Sequence, residues 1–457
     1  PEDRPVPPDG VEMTILSHDK HGMHFALIGH GEIQFAGHEI PLPKHSMETL
    51  NKEIEDTKKG QADVETQLLD LSVYSAAVAE HILRLEDDLH YIEARAGMQK
   101  FEKLSCLRGF SPADGVDALK EPANRDGWAL LVEDTSEADN VPTLIRNPRW
   151  VRPIQSVFDV LGLTPGYKEV DVSMVFLLFF SVFFAMLVGD AAYGTMFLVL
   201  TIAMRRKYKD APPQPFTLLK ILSVCTIVWG VATGTYFGMS NPPAALAKFK
   251  IAWLTNESNL MTLCFLMGAV QLTIAHVWNI FRMYPSLFVI DQLGRIGVTW
   301  TMYFTAQTMI QGAPFPEGMF YVFGAGLVCI ILFMTPWKQF RAEWYNHVML
   351  PLNIIGYFVD VVSYVRLFAV GFAGFAIANN FNEMALGSGI SSAWAGLGAA
   401  LILFLGHGLN ILLCCMGVLV HGVRLNALEF SGHLNMQWSG FNYRPFAHVD
   451  ALHHKGD

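Results

Sequence analysis

Polar and apolar residues are distributed in two unlike ways along this chain. Up to about residue 170 they mix. VEMTILSHD (11–19), MHFALIG (23–29) and GEIQFAGHEIPLP (31–43) read as short strands with turns between them. From about Met47 to Leu104 the spacing becomes helical. Leu68, Leu71, Ser75, Val78, Ile82, Leu85, Leu89 and Ile92 recur at intervals of three and four, between highly charged flanks. That is a heptad stripe, which predicts a coiled-coil helix over about 47–104. A narrow stripe needs a partner. The polar part offers no second helix of that length, so the partner is another subunit or a helix upstream of this sequence. The opening PEDRPVPPDG is loop-like and has no initiating Met, and we expect an N-terminal part to precede it. Residues 105–170 carry LRGFSPAD, WALLVED and VPTLIRNP, the pattern of a small α/β lobe.

Beyond residue 170 the chain is mostly apolar. A helix needs about 20 residues to cross the roughly 30 Å hydrocarbon core. The run 172–204 is too long for one crossing and is interrupted at VGDAAYG (188–194), where Gly189 and Asp190 suit a tight turn. Further runs cover about 217–238, 260–281, 296–312 and 318–335. Two last runs, about 345–384 and 392–431, exceed a perpendicular crossing and predict long, steeply tilted helices. The expectation is a mainly α protein. Residues 1–170 form a soluble arm with a coiled-coil helix and small α/β lobes. Residues 171–457 form an eight-helix transmembrane domain.

The connections support this count. With a cytoplasmic N-terminus, the inner connections hold Arg205, Arg206, Lys207, Lys209, Arg282, Arg295, Lys338 and Arg341, and the outer ones only Lys248 and Lys250. Lys and Arg accumulate on the cytoplasmic side, so both termini are expected there. Composition agrees: 52% of residues are hydrophobic and 16% charged, against about 25% charged in soluble domains. The net charge is −10 and no long basic tract occurs, which argues against nucleic acid as a partner. The six cysteines have no metal or disulfide spacing. No GxxxxGK[ST] loop is present, so the chain is not expected to hydrolyse ATP itself. We expect neither cofactor nor metal.

The informative chemistry lies inside the last two runs. Arg366 stands in VDVVSYVRLFAVGFAGFAIANN, with roughly a dozen largely apolar residues after it, and a central Arg costs several kcal/mol. Asp360 lies six residues earlier. At about 100° per residue it falls about 120° off the Arg366 face, a poor partner on one helix. The eighth run holds GHGLNILLCCMGVLVHGVRLNALEF. Relative to Arg424, His421 falls at about 60°, Gly417 at about 20°, Asn410 at about 40° and His407 at about 100°. This stripe, about 25 Å long, predicts a face turned to protein or water. His276 and Asn279 in the fourth run read as structural. Arginine stays protonated, so it cannot relay a proton. It can hold a passing carboxylate ionised and block cation leakage between two water-filled pockets. No central carboxylate here is an obvious carrier, so the carrier is expected on a partner.

With these residues the chain resembles the membrane stator subunit of V-type and archaeal-type rotary ATPases (subunit a or subunit I, the 116 kDa subunit family). The matching stretches run from about residue 47 to the C-terminus. They are LRGFSPAD, VPTLIRNP, FFAMLVGDAAYG, YFGMS, SYVRLFAVGFAG and the run from GHGLN through VHGVRLNALEFSGHL to FNYRPF. The resemblance implies that Arg366 and Arg424 face a rotor ring whose subunits carry the ion on a carboxylate. It implies that Glu429 lines the cytoplasmic half-channel and that His421 holds the family position three before the second arginine. The outer half-channel would open near Asn379 and Asn380. It implies binding of peripheral stalks through the soluble arm, and contact with the central-stalk side of the ATPase head. The sequence departs from the family at Phe110, where Trp is common, and at Ala192, usually Gly. Some eukaryotic relatives have His at Gly374 and Glu at Cys414, so details of eukaryotic channels do not transfer. The compact loops look prokaryotic, which implies the plasma membrane. Two other readings stand beside this one: a self-contained secondary transporter, which would usually show internal repeats, and an assembly scaffold with an inert membrane domain. Whether protons or sodium ions move is left open, as is the direction of coupling.

Overall fold

A computed structural model describes residues 11–19, 22–30, 46–136, 139–209, 211–239, 243, 246, 248–335, 340–387, 389 and 392–446. Its contacts divide at Gly97 into two compact units. In the first, β1 (Glu12–Asp19) and β2 (Gly22–Ile28) form an antiparallel hairpin, matching two of the expected strands. The third, 31–43, lies outside the described residues. Helix α1 (Met47–Ala96) starts where the Ser46 side chain accepts the Thr49 N–H, an N-cap. It ends eight residues before the expected Leu104. Gly97 closes it with an N–H bond to the Glu93 carbonyl, and the chain then turns into the hairpin β3 (Gln99–Phe101) and β4 (Leu104–Cys106). Leu68, Leu71, Val78, Ile82, Leu85, Leu89 and Ile92 are all exposed. Among the described residues the heptad stripe has no partner helix.

The second unit opens with β3 and β4, then α2 (Val116–Asp126) and α3 (Gln155–Leu161). The motifs LRGFSPAD and VPTLIRNP are joined here. Arg146 reaches both carboxylate oxygens of Asp114, at 2.6 and 3.1 Å, a bidentate pair. Its hydrogen bond holds the Asp114 carboxyl below its ordinary pKa. The C-terminal segment returns to this lobe through bridges Thr143–Asn442 and Thr164–Ser439.

A helical body follows. Its rods are α4 (Ser173–Val188), α5 (Ala191–Lys207), α6 (Pro213–Thr233), α7 (Glu257–Met283), α8 (Val289–Gln311), α9 (Gly318–Phe333), α10 (Tyr345–Ser363), α11 (Val365–Leu386) and α12 (Ala393–Gly417). Helix continues past α12 to His433 with two wider-wound segments, Val418–Gly422 and Leu425–Phe430, that bond i→i+5. Among the described residues four stretches are each long and apolar enough to cross a bilayer: Pro213–Thr233, Glu257–Met283, Tyr345–Leu386 and Ala393–His433. Helices α4 and α5 reach that measure jointly, bent by 119° at the expected Gly189–Asp190 turn. Helix α9 is apolar but only 16 residues long. Helix α8 begins at Val289 rather than near 296, so Arg295 is not a loop residue: it lies within the helix and pairs with Asp291.

Helix α4 is apolar on every side and sits at the centre, as an all-round hydrophobic helix should. Phe176, Phe183 and Leu187 are fully buried, in one core with Phe158, Tyr193, Tyr364, Leu367 and Cys414. The peripheral helices instead expose Phe281, Tyr321, Leu401, Phe404 and Leu412, surface that lipid or another apolar partner would cover.

Candidate functional site

The site forms where α10 gives way to α11 and where α12 changes its winding. The backbone of the Tyr345–Leu386 stretch is interrupted at Tyr364. Tyr364 is wholly buried, donates to Gln271 Oε1 at 2.8 Å, and Gln271 Nε2 donates to Asn426 Oδ1 at 2.9 Å. This buried cross-brace ties α7, the α10–α11 junction and the final helix together. Gly268 permits it: a Cβ there would stand 2.6 Å from the Tyr364 ring. Gly268→Ala is therefore expected to cost about 1–3 kcal/mol through overpacking, read as a lower unfolding temperature of the detergent-solubilised protein. An unchanged transition would show that the ring can yield.

Arg366 lies two residues after Tyr364. Its Nε donates to the Ser363 carbonyl at 2.8 Å and its guanidinium meets Glu429 Oε1 at 2.6 Å. Arg424 Nε stands 3.5 Å from the same oxygen. Both arginines, from separate helices, converge on one carboxylate. Asp360 is not the partner of Arg366, as its angular position requires. Exposure separates the three: the Glu429 side chain is 6% exposed, Arg366 23% and Arg424 57%. Glu429 Oε2 is buried without a hydrogen-bond partner among the described residues.

The winding explains why Glu429 reaches Arg424. In an α-helix a five-residue step turns by about 500°, leaving the two about 140° apart. Between Leu425 and Phe430 the helix bonds i→i+5, which returns residues five apart to nearly one face. The same winding breaks up the expected polar stripe. Asn410 is buried, His407 and His421 are half-buried, and Arg424 is exposed. His421 Nδ1 is buried with no partner among the described residues.

A second polar group lies towards the other end of these helices. Tyr193 Oη is 2.6 Å from His407 Nδ1 and accepts from Asn410 Nδ2 at 3.2 Å. His407 Nε2 is 3.1 Å from Asn382 Oδ1, a residue the sequence reading passed over. Asn379 bonds Glu383 on its own helix at 3.1 Å, and Asn380 is exposed. Asp190 anchors Tyr193 in place. Its side chain accepts the N–H groups of Ala192, Tyr193 and Gly238 at 2.8, 3.2 and 2.9 Å.

A third chain of polar side chains was also missed as a unit. Asp360 Oδ2 is 3.0 Å from His433 Nε2, His433 Nδ1 is 3.1 Å from His276 Nε2, and His276 Nδ1 is 2.8 Å from Gln292 Oε1. His276 and Asn279 looked structural because their partners are 157 and 154 residues away in the chain. Two polar residues three apart in an apolar run were the available signal. Among the described residues no group of three or more His, Cys, Asp or Glu side chains is placed to hold a metal ion.

No family model matches the chain. Similar proteins do. It is 32% identical over 464 residues to V-type ATP synthase subunit I of Borreliella burgdorferi, covering 95% of this chain and 75% of that protein. The chain belongs to the subunit I family of V-type and A-type ATP synthases. V-type ATP synthase subunit I 1 of Treponema pallidum is 32% identical over 437 residues, covering 89% of this chain and 70% of that protein. A-type ATP synthase subunit I of Methanocaldococcus jannaschii is 23% identical, covering 79% of this chain and 55% of that protein. Subunit I is a membrane subunit of the ion-transporting V-type ATPase rather than a catalytic chain. Two departures from the family pattern prove to be neighbours in this subunit I. A Cβ on Gly374 would lie 3.4 Å from Asn410 Oδ1 and 3.5 Å from Cys414 Sγ. The small pair lets α11 and α12 pack closely where a His and a Glu would need more room.

Proposed function

We propose that this subunit I is the stator half of the ion pathway in a rotary ATPase. Residues 171–457 cross the membrane eight times, with both termini in the cytoplasm, and residues 1–170 form the soluble arm. The observation that carries the reading is the convergence of Arg366 and Arg424 on Glu429. Two permanent cations on apolar helices, one of them largely buried, demand a purpose and a counterion. In the assembled enzyme a ring of partner helices, each bearing a carboxylate, turns past the two arginines. A ring carboxylate arriving there is kept ionised by them and so releases its ion. Glu429 then holds the arginines between arrivals and lines the cytoplasmic half-channel. The Tyr193–His407–Asn410 group, with Asn379, Asn380 and Asn382, belongs to the opposite half-channel. His421, facing the arginine region, contributes to the path between them. The arm engages the peripheral stalks and the central-stalk side of the ATPase head, and the membrane is the prokaryotic plasma membrane.

The test uses the complete ATPase reconstituted in vesicles. Arg366→Lys keeps the charge but loses the planar fork that bonds Ser363 and Glu429 together. We expect ATP-driven ion uptake to fall at least about tenfold while ATP hydrolysis persists, and Arg424→Lys to fall less because its Glu429 contact is longer and more exposed. Full pumping in both variants would favour an inert scaffold.

A further inference from the structure

The third polar chain has a property that follows from counting donors and acceptors. Gln292 Nε2 donates to Asp291 Oδ2 at 3.1 Å, which leaves its Oε1 facing His276 Nδ1 and Asn279 Nδ2. An amide oxygen only accepts, so His276 carries a proton on Nδ1. If His276 is neutral, its Nε2 accepts from His433 Nδ1. A neutral His433 protonated on Nδ1 then presents a bare Nε2 to Asp360 Oδ2 at 3.0 Å. Two acceptors at that separation need a proton between them. If His276 is instead the imidazolium, His433 turns its proton to Asp360 and the surplus proton sits on His276. Every satisfied arrangement holds one proton more than two neutral imidazoles and an ionised carboxylate supply.

We propose that Asp360, His433 and His276 share one transferable proton and form a proton store at the cytoplasmic end of the inner half-channel, so that the ion moved is the proton. This rests on the ion-pathway reading above. As the Asp360 O–H bond breaks, His433 Nε2–H forms. As His433 Nδ1–H breaks, His276 Nε2–H forms. Gln292 cannot pass a proton on, so the relay ends there, and charge enters and leaves at Asp360, which is 31% exposed against 8% for His433. The Ser363 hydroxyl lies between Glu429 Oε1, at 3.4 Å, and the Asp360 carbonyl, at 2.9 Å, which puts the store beside the arginine-bound carboxylate. Gln292 lies four residues into α8, Asn279 four from the end of α7, and His433 ends the last helix. All three therefore lie at one end of the body, the cytoplasmic end in the proposed topology.

The surrounding charges leave the store intact. From α8, Asp291 is neutralised by Arg295 at 2.8 Å, and Arg295 also bonds Tyr357 Oη at 2.9 Å. From α10, Tyr357 stacks on His276 and meets His433 edge-on. Tyr364 at the α10–α11 junction is committed to Gln271, and Arg366 on α11 to Glu429. The described residues around the two imidazoles thus offer Asp360 as the carboxylate free to exchange.

The experiment compares wild-type ATPase in vesicles with His433→Gln, Asp360→Asn and Asp360→Glu, measuring ATP-driven proton uptake across a pH series. We expect His433→Gln and Asp360→Asn to lower uptake roughly a hundredfold, the low end of what a positioned acid–base group contributes, and to flatten its pH profile. Asp360→Glu should restore both, and assembly and ATP hydrolysis should be retained. A wild-type pH profile in His433→Gln would overturn the store. Arg366→Lys in the same vesicles separates the two ideas: if it stops uptake while His433→Gln does not alter it, the store alone fails. Nitrogen NMR of histidine-labelled protein in the intact ATPase gives a reading independent of turnover. The expected signature is one proton beyond two neutral imidazoles and an ionised carboxylate: either a doubly protonated imidazole or a protonated Asp360 carboxyl beside two neutral ones. Two neutral imidazoles beside an ionised Asp360, read by carbon NMR of the carboxyl group, or uptake that requires sodium, would refute the proposal.

Discussion

Glu429→Gln is expected to cut ATP-driven pumping at least about tenfold and to destabilise the helical body by about 3 kcal/mol. The reason lies in what it leaves behind. Glu429 is the carboxylate that pairs with both arginines, at 2.6 and 3.5 Å. An amide keeps the shape and one acceptor but removes the negative charge. Arg366, three-quarters buried, would then hold a cation against an apolar core with only the Ser363 carbonyl and a neutral amide for company. Removing one member of a buried pair costs more than the pair is worth, because the survivor stays desolvated. Arg424 would be affected less, since it is more than half exposed. The comparison that checks this is denaturation of the solubilised protein alongside pumping in vesicles. If Glu429→Gln pumps at the wild-type rate, the carboxylate is only a structural counterion. If Glu429→Asp restores stability without pumping, reach as well as charge matters.

Asp190→Ala should be comparably damaging, by a different route. Asp190 is buried and accepts three backbone N–H groups, two at the start of α5 and one from Gly238. Loss of an N-cap costs about 0.5–2 kcal/mol, and an unsatisfied buried donor about 1–3 more. Together, at about 1.5–5 kcal/mol, these are a large fraction of the roughly 5–15 kcal/mol by which domains are typically stable. Packing also forbids compensation: a Cβ on Gly230 would stand 2.7 Å from the Ala191 Cα, so α6 cannot move in to fill the gap. Since Tyr193 is held by the same cap, its 2.6 Å contact to His407 should be lost as well. We expect little monodisperse protein from Asp190→Ala and an intermediate yield from Asp190→Asn, which keeps one acceptor. Equal yields from both variants would show that the cap is dispensable.

Much of the body could be read from hydrophobic runs. Long apolar segments have few options, so the turn at Gly189–Asp190 and the later rods other than α8 lay close to where runs and breakers put them. The start of α8 was misplaced because its first turns carry Asp291 and Arg295, which look like loop residues until their ion pair is seen. Helix α1 was drawn too long because residues 98–104 have no Pro to mark the hairpin beyond Gly97. Within the site, Arg366 and Arg424 stood out because charge in an apolar run is costly. Asp360 was rightly separated from Arg366 by angle alone. What angle could not show was Glu429 beneath Arg424, because that arithmetic assumes ordinary α winding. Nor could it show the Asp360–His433–His276 chain, whose members come from three helices distant in sequence and carry no common motif.

Each i→i+5 turn past Gly417 inserts more chain into one revolution than an ordinary turn does. A site chosen there from a standard helical wheel will therefore face the wrong way, by an error that grows with each wide turn. Cysteines introduced to capture a neighbouring helix, or spin labels meant to report on it, need addresses counted along the true spiral. Otherwise a failed cross-link beyond residue 417 would be mistaken for a missing neighbour.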